Sequence, residues 1–158
     1  MQPQNLPLPL RTEFLMQLSG ELEAPQEIGA APPGPQRIYY VKGGAFAGPG
    51  LSGSVLPGGG DWMTMRKDGI AQLDVRITLR TDDGAPIFVS YRGKVNMSTE
   101  TRQRIADGEA VDPSEYYFRV APFFETGSEK YAWMNGVIAV GIGRRTATGV
   151  GYSIHVVR

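Results

Sequence analysis

The chain contains no cysteine and a single histidine, His155, among its 158 residues. The lack of cysteine excludes a disulfide framework, a thiolate nucleophile and a cysteine-ligated metal. One histidine argues against a histidine-based metal site and against a Ser-His-Asp triad. We therefore expect a protein that holds no metal.

Net charge and long apolar runs are also missing. Sixteen basic residues balance sixteen acidic ones, so no basic field is available for nucleic acid or an anionic membrane. No apolar run approaches the ~20 residues needed to span a bilayer. The N-terminal stretch MQPQNLPLPLR lacks the basic start and apolar core of a signal peptide. We expect a cytoplasmic protein without nucleic-acid or membrane partners.

Glycine and proline, by contrast, are abundant, at 21 and 12 residues. They recur at short intervals, which is typical of turns between many short strands. A chain of this length suits one domain. We predict an all-β fold, an up-and-down antiparallel barrel, over residues 13–158, preceded by a lead-in at residues 1–12.

The stretch from Asp61 to Gly93 carries the clearest strand pattern. From Gln72 to Arg80, apolar and polar residues alternate, as in a strand with one buried face. A three-residue loop with Gly84 in the left-handed region sets apolar residues opposite apolar ones, whereas a two-residue loop does not. The predicted pairs are Leu79 with Ile87, Ile77 with Val89, Val75 with Tyr91, Arg76 with Ser90 and Asp74 with Arg92.

Turn residues and alternation bound the other predicted elements. One helix is expected from Ser98, as its N-cap, to Asp107, with Gly108 as the stop. Asn135-Gly136 predicts a two-residue hairpin that pairs Trp133 with Ile138, and Pro122 predicts an edge position or a bulge. Residues 31–35 read as a loop. Strands are predicted at 13–22, 37–42, 61–65, 70–80, 115–125, 130–134, 137–145 and 149–157.

A formal G-x-G-x-x-G occurs at Gly48–Gly53. Pro49 removes one backbone N–H from it, no helical pattern follows, and no βαβ unit surrounds it. We interpret the run as turns and a bulged strand, and we expect no nucleotide or other cofactor.

Three motifs occur in a fixed order, LPGGGDW, LDVRITLRTDDGAPI and EYYFRVAPFFETGSEKYAWMN, followed by a closing GYSIHVV strand. Together they resemble a bacterial and fungal family of uncharacterised proteins, domain of unknown function 3237. The resemblance runs from about Phe14 to Val157. It implies a single lipocalin-like antiparallel β-barrel, here of about 8–10 strands with one short helix, and it implies no particular reaction.

Asp74, Arg76 and Thr78 alternate on the polar face of the central hairpin and match the family pattern before its DDG turn. Two placements remain open for them. On the solvent face they are ordinary residues of an antiparallel sheet. In the barrel lumen Asp74 needs a cationic partner, because an unpaired buried carboxylate costs several kcal/mol, and such a cluster could perform acid–base chemistry.

A second candidate set lies on the strand at 115–125. Tyr117 and Arg119 share a face, and Glu125 follows Pro122, where an irregularity could re-aim it; the alternative is a structural ion pair with rim tyrosines. The catalytic candidates are Asp74, Arg76, Arg119 and Glu125. The substrate-binding candidates are Trp62, Thr78, Tyr91, Tyr117, Trp133 and Asn135, although Trp133 is most simply core and Asn135 is explained by its turn. Asp61, Asp82 and Asp83 are interpreted as turn residues.

Two functions fit these features. The first is a cofactor-independent lyase, isomerase or cyclase that performs acid–base chemistry on a small aromatic or hydrophobic molecule inside the barrel. The second is a non-catalytic carrier that holds a similar ligand in a lipocalin-like pocket. We favour the enzyme. A homodimer is the one protein assembly that we consider.

Overall fold

Ten strands, one helix and two 3₁₀ turns make up residues 7–158, the part of the chain that our computed structural model describes. The helix α1 covers Thr99–Ala106, and the 3₁₀ turns cover Pro113–Glu115 and Ala132–Gly136. The strands are β1 Thr12–Leu22, β2 Gln26–Ala31, β3 Gly34–Ala47, β4 Ser52–Val55, β5 Gly60–Met65, β6 Ala71–Thr81, β7 Pro86–Asn96, β8 Tyr117–Glu125, β9 Ile138–Arg145 and β10 Gly149–Val157.

The sheet closes into a barrel because β1 pairs with both β10 and β3. From β10 the wall continues through β9, β8, β7 and β6. Strands β4 and β5 follow one another between β3 and β6 and fill one position of the wall. The wall thus has eight positions, and β2 extends β3 outside it. The predicted all-β barrel is confirmed.

The central hairpin has the predicted register. β6 pairs Leu79 with Ile87 and Val75 with Tyr91, and Gly84 has a φ of +90°, as the three-residue loop requires. The apolar row of β6 points inward and is buried. The polar row, which includes Asp74, Arg76 and Thr78, therefore faces outward. This settles the question of placement in favour of the outer face.

Three inward-facing positions on β7 and β9 are glycines. A Cβ added at Gly93 or Gly141 would lie 2.7 or 2.8 Å from a methyl group of Val120, and one added at Gly143 would collide with the ring of Phe118. The backbones of β7 and β9 therefore approach the side chains of β8 directly. On the outer face, the recessed backbone at Gly93 and Gly141 lines a concavity over β8.

The segment between β8 and β9 differs from its prediction. Residues 130–134 do not form a strand, and the Asn135-Gly136 hairpin is absent; a 3₁₀ turn, Ala132–Gly136, takes its place. Trp133 is 44% exposed, so its interpretation as a core residue is wrong. Local propensity favoured a tight hairpin, but hydrogen bonds from distant side chains hold another conformation.

Two side chains anchor this segment. The carboxylate of Asp83 accepts hydrogen bonds from Lys130 Nζ at 2.7 Å and from the Tyr131 hydroxyl at 3.0 Å. The side chain of Asn135 donates to the carbonyl of Thr126 at 3.0 Å and accepts from its N–H at 2.8 Å. Asp83 is therefore more than a turn residue, because it ties the β6–β7 turn to the β8–β9 connection.

Other boundaries also moved. The strand predicted at 37–42 is the longer β3, which begins within the loop predicted at 31–35, and β2 was not predicted. The predicted bulge at Pro122 is absent, because the pairing of β8 with β7 is continuous there. On the other side of β8, the pairing with β9 ends at Val120. The N–H that Pro122 lacks is therefore not needed by that ladder. Helix α1 has the predicted Ser98 cap and Gly108 stop. β1 begins at Thr12, and residues 1–6 of the predicted lead-in lie outside the described residues.

Candidate functional site

The lumen contains one carboxylate, Asp61, among the residues that line its cavity. β5 pairs Asp61 with Val75 and Thr64 with Gln72 but skips the two positions between them. The backbone N–H of Asp74, which lies in this gap, donates to Asp61 Oδ1 at 3.1 Å. The side chain of Asp61 therefore takes a hydrogen bond that a regular ladder would give to the backbone.

Burial raises the pKa of Asp61 to about 6. The Asp74 N–H and the positive charge of Arg145 oppose this rise, while the negative charge of Asp74 adds to it. Desolvation dominates because the charged form loses its hydration inside the barrel. Asp61 can thus gain or lose a proton near neutral pH, as an acid–base catalyst must.

Two tyrosines lie beside this carboxyl group. The rings of Tyr91 and Tyr152 meet edge to face, with centroids 5.4 Å apart, and both residues are buried. Burial raises the pKa of both phenols above its usual value, and the nearby negative charge of Asp61 raises each further. Both hydroxyls therefore stay protonated at neutral pH and remain able to donate hydrogen bonds.

The cavity between these groups measures about 30 Å³ and is also bordered by Tyr39 and Arg145. Such a volume holds one or two water molecules. A surface depression of about 350 Å³ at one end of the barrel shares Leu22, Tyr39 and Arg145 with the cavity. These three side chains separate the lumen from solvent at that end.

A second concavity, of about 1000 Å³, lies on the outside of the wall over β8. We call it the outer groove. Four of our predicted site residues line it, namely Trp62, Asp74, Tyr117 and Arg119. Arg76 lies at the edge of the groove. Its guanidinium carbon is 5.9 Å from the centroid of the Trp62 ring, and its Nη1 is 3.7 Å from Asp74 Oδ1.

The remaining predicted site residues are dispersed. Tyr91 lies in the lumen, whereas Thr78 and Glu125 lie on the outer face opposite Phe88. Glu125 is exposed and is not turned toward Arg119 by any irregularity at Pro122. Trp133 and Asn135 belong to the 3₁₀ turn. Neither the lumen cavity nor the outer groove includes any of Thr78, Glu125, Trp133 and Asn135.

Comparison with known proteins places the chain in a family. The family model described as "Protein of unknown function (DUF3237)" matches residues 10–157. The chain belongs to this family. A UPF0311 protein of Rhodopseudomonas palustris is 34% identical to it over 149 residues, which are 92% of this chain and 95% of that protein.

Solved structures of other proteins share the barrel. A beta-barrel like protein from Acinetobacter baumannii superimposes with a TM-score of 0.84 at 38% identity, over 98% of this chain and 100% of that one. An enzyme from Penicillium herquei superimposes with a TM-score of 0.76 at 25% identity, over 99% and 100%. In sequence, the hydroalkoxylation enzyme phnH of the same fungus is 32% identical over 104 residues, 66% of this chain and 54% of that protein.

Sequence reasoning missed three residues of the lumen site in this DUF3237 protein. Asp61 was interpreted as a turn residue because three glycines precede it, yet it begins the inward row of β5. Arg145 and Tyr152 were not predicted as site residues, although the alternation of Tyr152 with Ile154 and Val156 indicated a core position for Tyr152. An isolated acidic residue at the start of an apolar row was the signal that could have found the site.

Two further observations concern metal sites and membrane-spanning helices in the described residues. No group of three or more histidine and acidic side chains in residues 7–158 converges in a way that could hold a metal ion. Helix α1 is only eight residues long, and over the same range no helix has the length and apolarity to cross a membrane.

Proposed function

We propose that the chain is a cofactor-independent enzyme that adds an O–H group across a carbon–carbon double bond, or removes it, in a small aromatic or hydrophobic molecule. The observation that carries this proposal is the carboxyl group of Asp61, whose pKa is raised to about 6 inside the barrel. Perturbed carboxyl groups in enclosed sites are typical of general acid–base catalysts.

Each lumen residue has a role in this reaction. Protonated Asp61 donates its proton to one alkene carbon while the substrate oxygen bonds to the other carbon. The proton released from that oxygen returns to the Asp61 carboxylate, so the addition is balanced and the enzyme is regenerated. The hydroxyls of Tyr91 and Tyr152 orient the substrate oxygen by hydrogen bonds, and Arg145 stabilises the negative charge that develops on the Asp61 carboxylate as its proton leaves.

The backbone of Asp74 also contributes to this site. Its N–H holds Asp61 Oδ1 at 3.1 Å, which leaves Oδ2 free to exchange the proton. Our sequence candidate Asp74 thus enters the proposal as a positioning residue through its backbone, whereas its side chain lies on the outer face.

Access requires movement at the barrel end. A cavity of about 30 Å³ is far smaller than the ~300–1,000 Å³ of usual ligand pockets. Rotation of Tyr39 and Arg145, which are only half-buried, would join it to the adjacent depression of about 350 Å³.

The relationship to the Penicillium herquei protein supports the reaction class. Hydroalkoxylation, the activity in that protein's name, is the addition of an O–H group across a double bond. Such a reaction needs a proton donor, a proton acceptor and an enclosed site, and it needs no redox cofactor. The lumen of this chain supplies these three features with its own residues.

The test is turnover of phenols that carry an ortho alkenyl chain, with 2-allylphenol and 2-prenylphenol as the first probes. The expected product is a cyclic ether of unchanged mass that lacks the phenolic O–H, as followed by liquid chromatography and NMR. Asp61→Asn should reduce turnover by about 10²–10⁴-fold, whereas Asp74→Asn, which keeps the backbone N–H, should stay within about threefold of wild type. Unchanged turnover in Asp61→Asn, or no cyclisation of either phenol by the wild type, contradicts the proposal.

A further inference from the structure

Three cations meet in the outer groove in an arrangement that stability does not explain. Lys94 lies directly opposite Arg119 in the β7–β8 pair, and Arg92 precedes Lys94 by two residues on the same face. Like charges directly opposite each other destabilise a strand pair. Within residues 7–158, none of the three forms a salt bridge.

Carboxylates offer these cations little compensation, although Arg119 Nη1 donates a hydrogen bond to the carbonyl of Phe118 at 3.0 Å. The single carboxylate of the groove belongs to Asp74, which pairs across the strands with Arg92 but lies within ion-pair distance of Arg76, at 3.7 Å. The groove therefore carries a local excess of positive charge in a chain whose net charge is zero. An excess of this kind on one concave surface favours an anionic ligand.

Apolar and aromatic surfaces border the same cations. Val140 and Ile142 line one side of the groove, and the recessed backbone at Gly93 and Gly141 forms part of its floor. The ring of Tyr117 is 53% exposed and lies 5.0 Å from the guanidinium carbon of Arg119. Trp62 provides a second aromatic surface. A flat apolar molecule would find contacts along this groove.

We propose that the outer groove is a binding site for a small aromatic carboxylate. Lys94, Arg119 and Arg92 bind the carboxylate, and Trp62, Tyr117 and Ile142 contact the aromatic body. The volume of about 1000 Å³ lies at the upper end of the range for small-molecule sites, ~300–1,000 Å³. Because the groove lies on the opposite side of the wall from Asp61, this site is separate from the proposed reaction site.

The two tryptophans of the chain provide an internal comparison. In a ¹⁵N-labelled sample titrated with 2-naphthoate, the indole N–H signal of Trp62 should shift with saturation, while that of Trp133, which lies outside the groove, stays in place. Uncharged 2-naphthamide should bind at least about tenfold more weakly, because it loses the charge-assisted hydrogen bonds. Raising the salt concentration should weaken naphthoate binding.

Matched variants test which residues bind the probe. The double variant Lys94→Gln/Arg119→Gln should weaken naphthoate binding by about tenfold or more. Arg80→Gln also removes a cation from the outer face of the barrel, but Arg80 lies on β6 and outside the groove. This variant should leave the affinity for naphthoate unchanged. Asp61→Asn should also leave it unchanged, which separates this result from the fate of the lumen proposal.

Three outcomes would overturn the proposal. One is equal affinity in the double variant and in Arg80→Gln. Another is a naphthoate titration that leaves Trp62 unshifted at millimolar concentration. The third is a dimer in sedimentation experiments that Ile142→Arg converts to a monomer and that binds no naphthoate, since the apolar face would then be a contact between two copies of the chain.

Discussion

Asp61 and Asp74 lie on neighbouring strands and are joined by one hydrogen bond, yet they face opposite sides of the barrel wall. The side chain of Asp61 faces the lumen, where burial raises its pKa to about 6. The side chain of Asp74 is 39% exposed and lies 3.7 Å from Arg76. The same residue type thus becomes a candidate proton donor on one face and a surface charge on the other, because only the lumen removes its hydration.

The two faces also differ in how their polar groups are balanced. In the lumen a few polar side chains share one small cavity, and each acts on the others, as Asp61 does on both tyrosines. In the outer groove several cations share a face without carboxylate partners. Changes inside the barrel should therefore alter stability strongly, whereas changes outside it should act mainly on ligand binding.

The largest expected effect concerns Asp61 and pH. Its pKa is about 6 in the folded chain, against an ordinary value of 3.8, so folding favours the protonated form. The stabilisation from that form is fully present below about pH 4 and is lost as the pH rises through 6. Relative to Asp61→Asn, which stays neutral, the wild type should lose up to about 3 kcal/mol of unfolding free energy between pH 4 and pH 7. Urea denaturation across this range measures the difference.

Asp74→Asn is the matched control on the other side of the wall. Asp74→Asn should keep the loss of stability that Asp61 causes between pH 4 and pH 7, because it keeps the backbone N–H that binds Asp61 Oδ1. If both variants show the same pH dependence, the contrast between the two faces is wrong.

The sequence was sufficient to predict the hairpin that carries Asp74. Alternation and the requirement for Gly84 determined its register to the residue, because a shift by one position would have buried charges. Alternation alone could not tell which face was the lumen. Asp61 escaped prediction because its burial depends on β3 and β6, which are its neighbours in space, and not on the residues next to it in the chain.

A smaller effect is expected for the glycines that recess the wall. Gly143→Ala places a methyl group against the ring of Phe118, which is buried and contacts Tyr152 edge to face. Overpacking of this kind costs about 1–3 kcal/mol, measurable by urea denaturation. Gly127→Ala, where nothing lies within 4 Å of the added methyl group, should be nearly neutral. Equal stability of the two variants would mean that the close approach of β9 to β8 is not tightly packed.

The segment at residues 130–136 is a region where a strong local signal predicted the wrong structure. Asn135-Gly136 is a strong local hairpin signal, but the side chain of Asn135 binds Thr126 instead. Asp83, 48 residues before Tyr131, supplies the other anchor. The Asn135-Gly136 signal could not include partners so distant in the chain, and the aromatic character of Trp133 alone wrongly indicated a core position.

The smallest effect lies in the outer groove and has the opposite sign. Lys94→Gln removes one member of the like-charge pair with Arg119, so it should stabilise the chain by about 0.2–1 kcal/mol at low salt. Arg80→Gln is the control, because Arg80 lies opposite Pro86 and faces no like charge across the strand pair. The difference between the two variants should shrink in 0.5 M NaCl, since salt screens exposed charges. A destabilised Lys94→Gln would mean that the three cations support the fold, which would contradict their role in binding an anionic ligand.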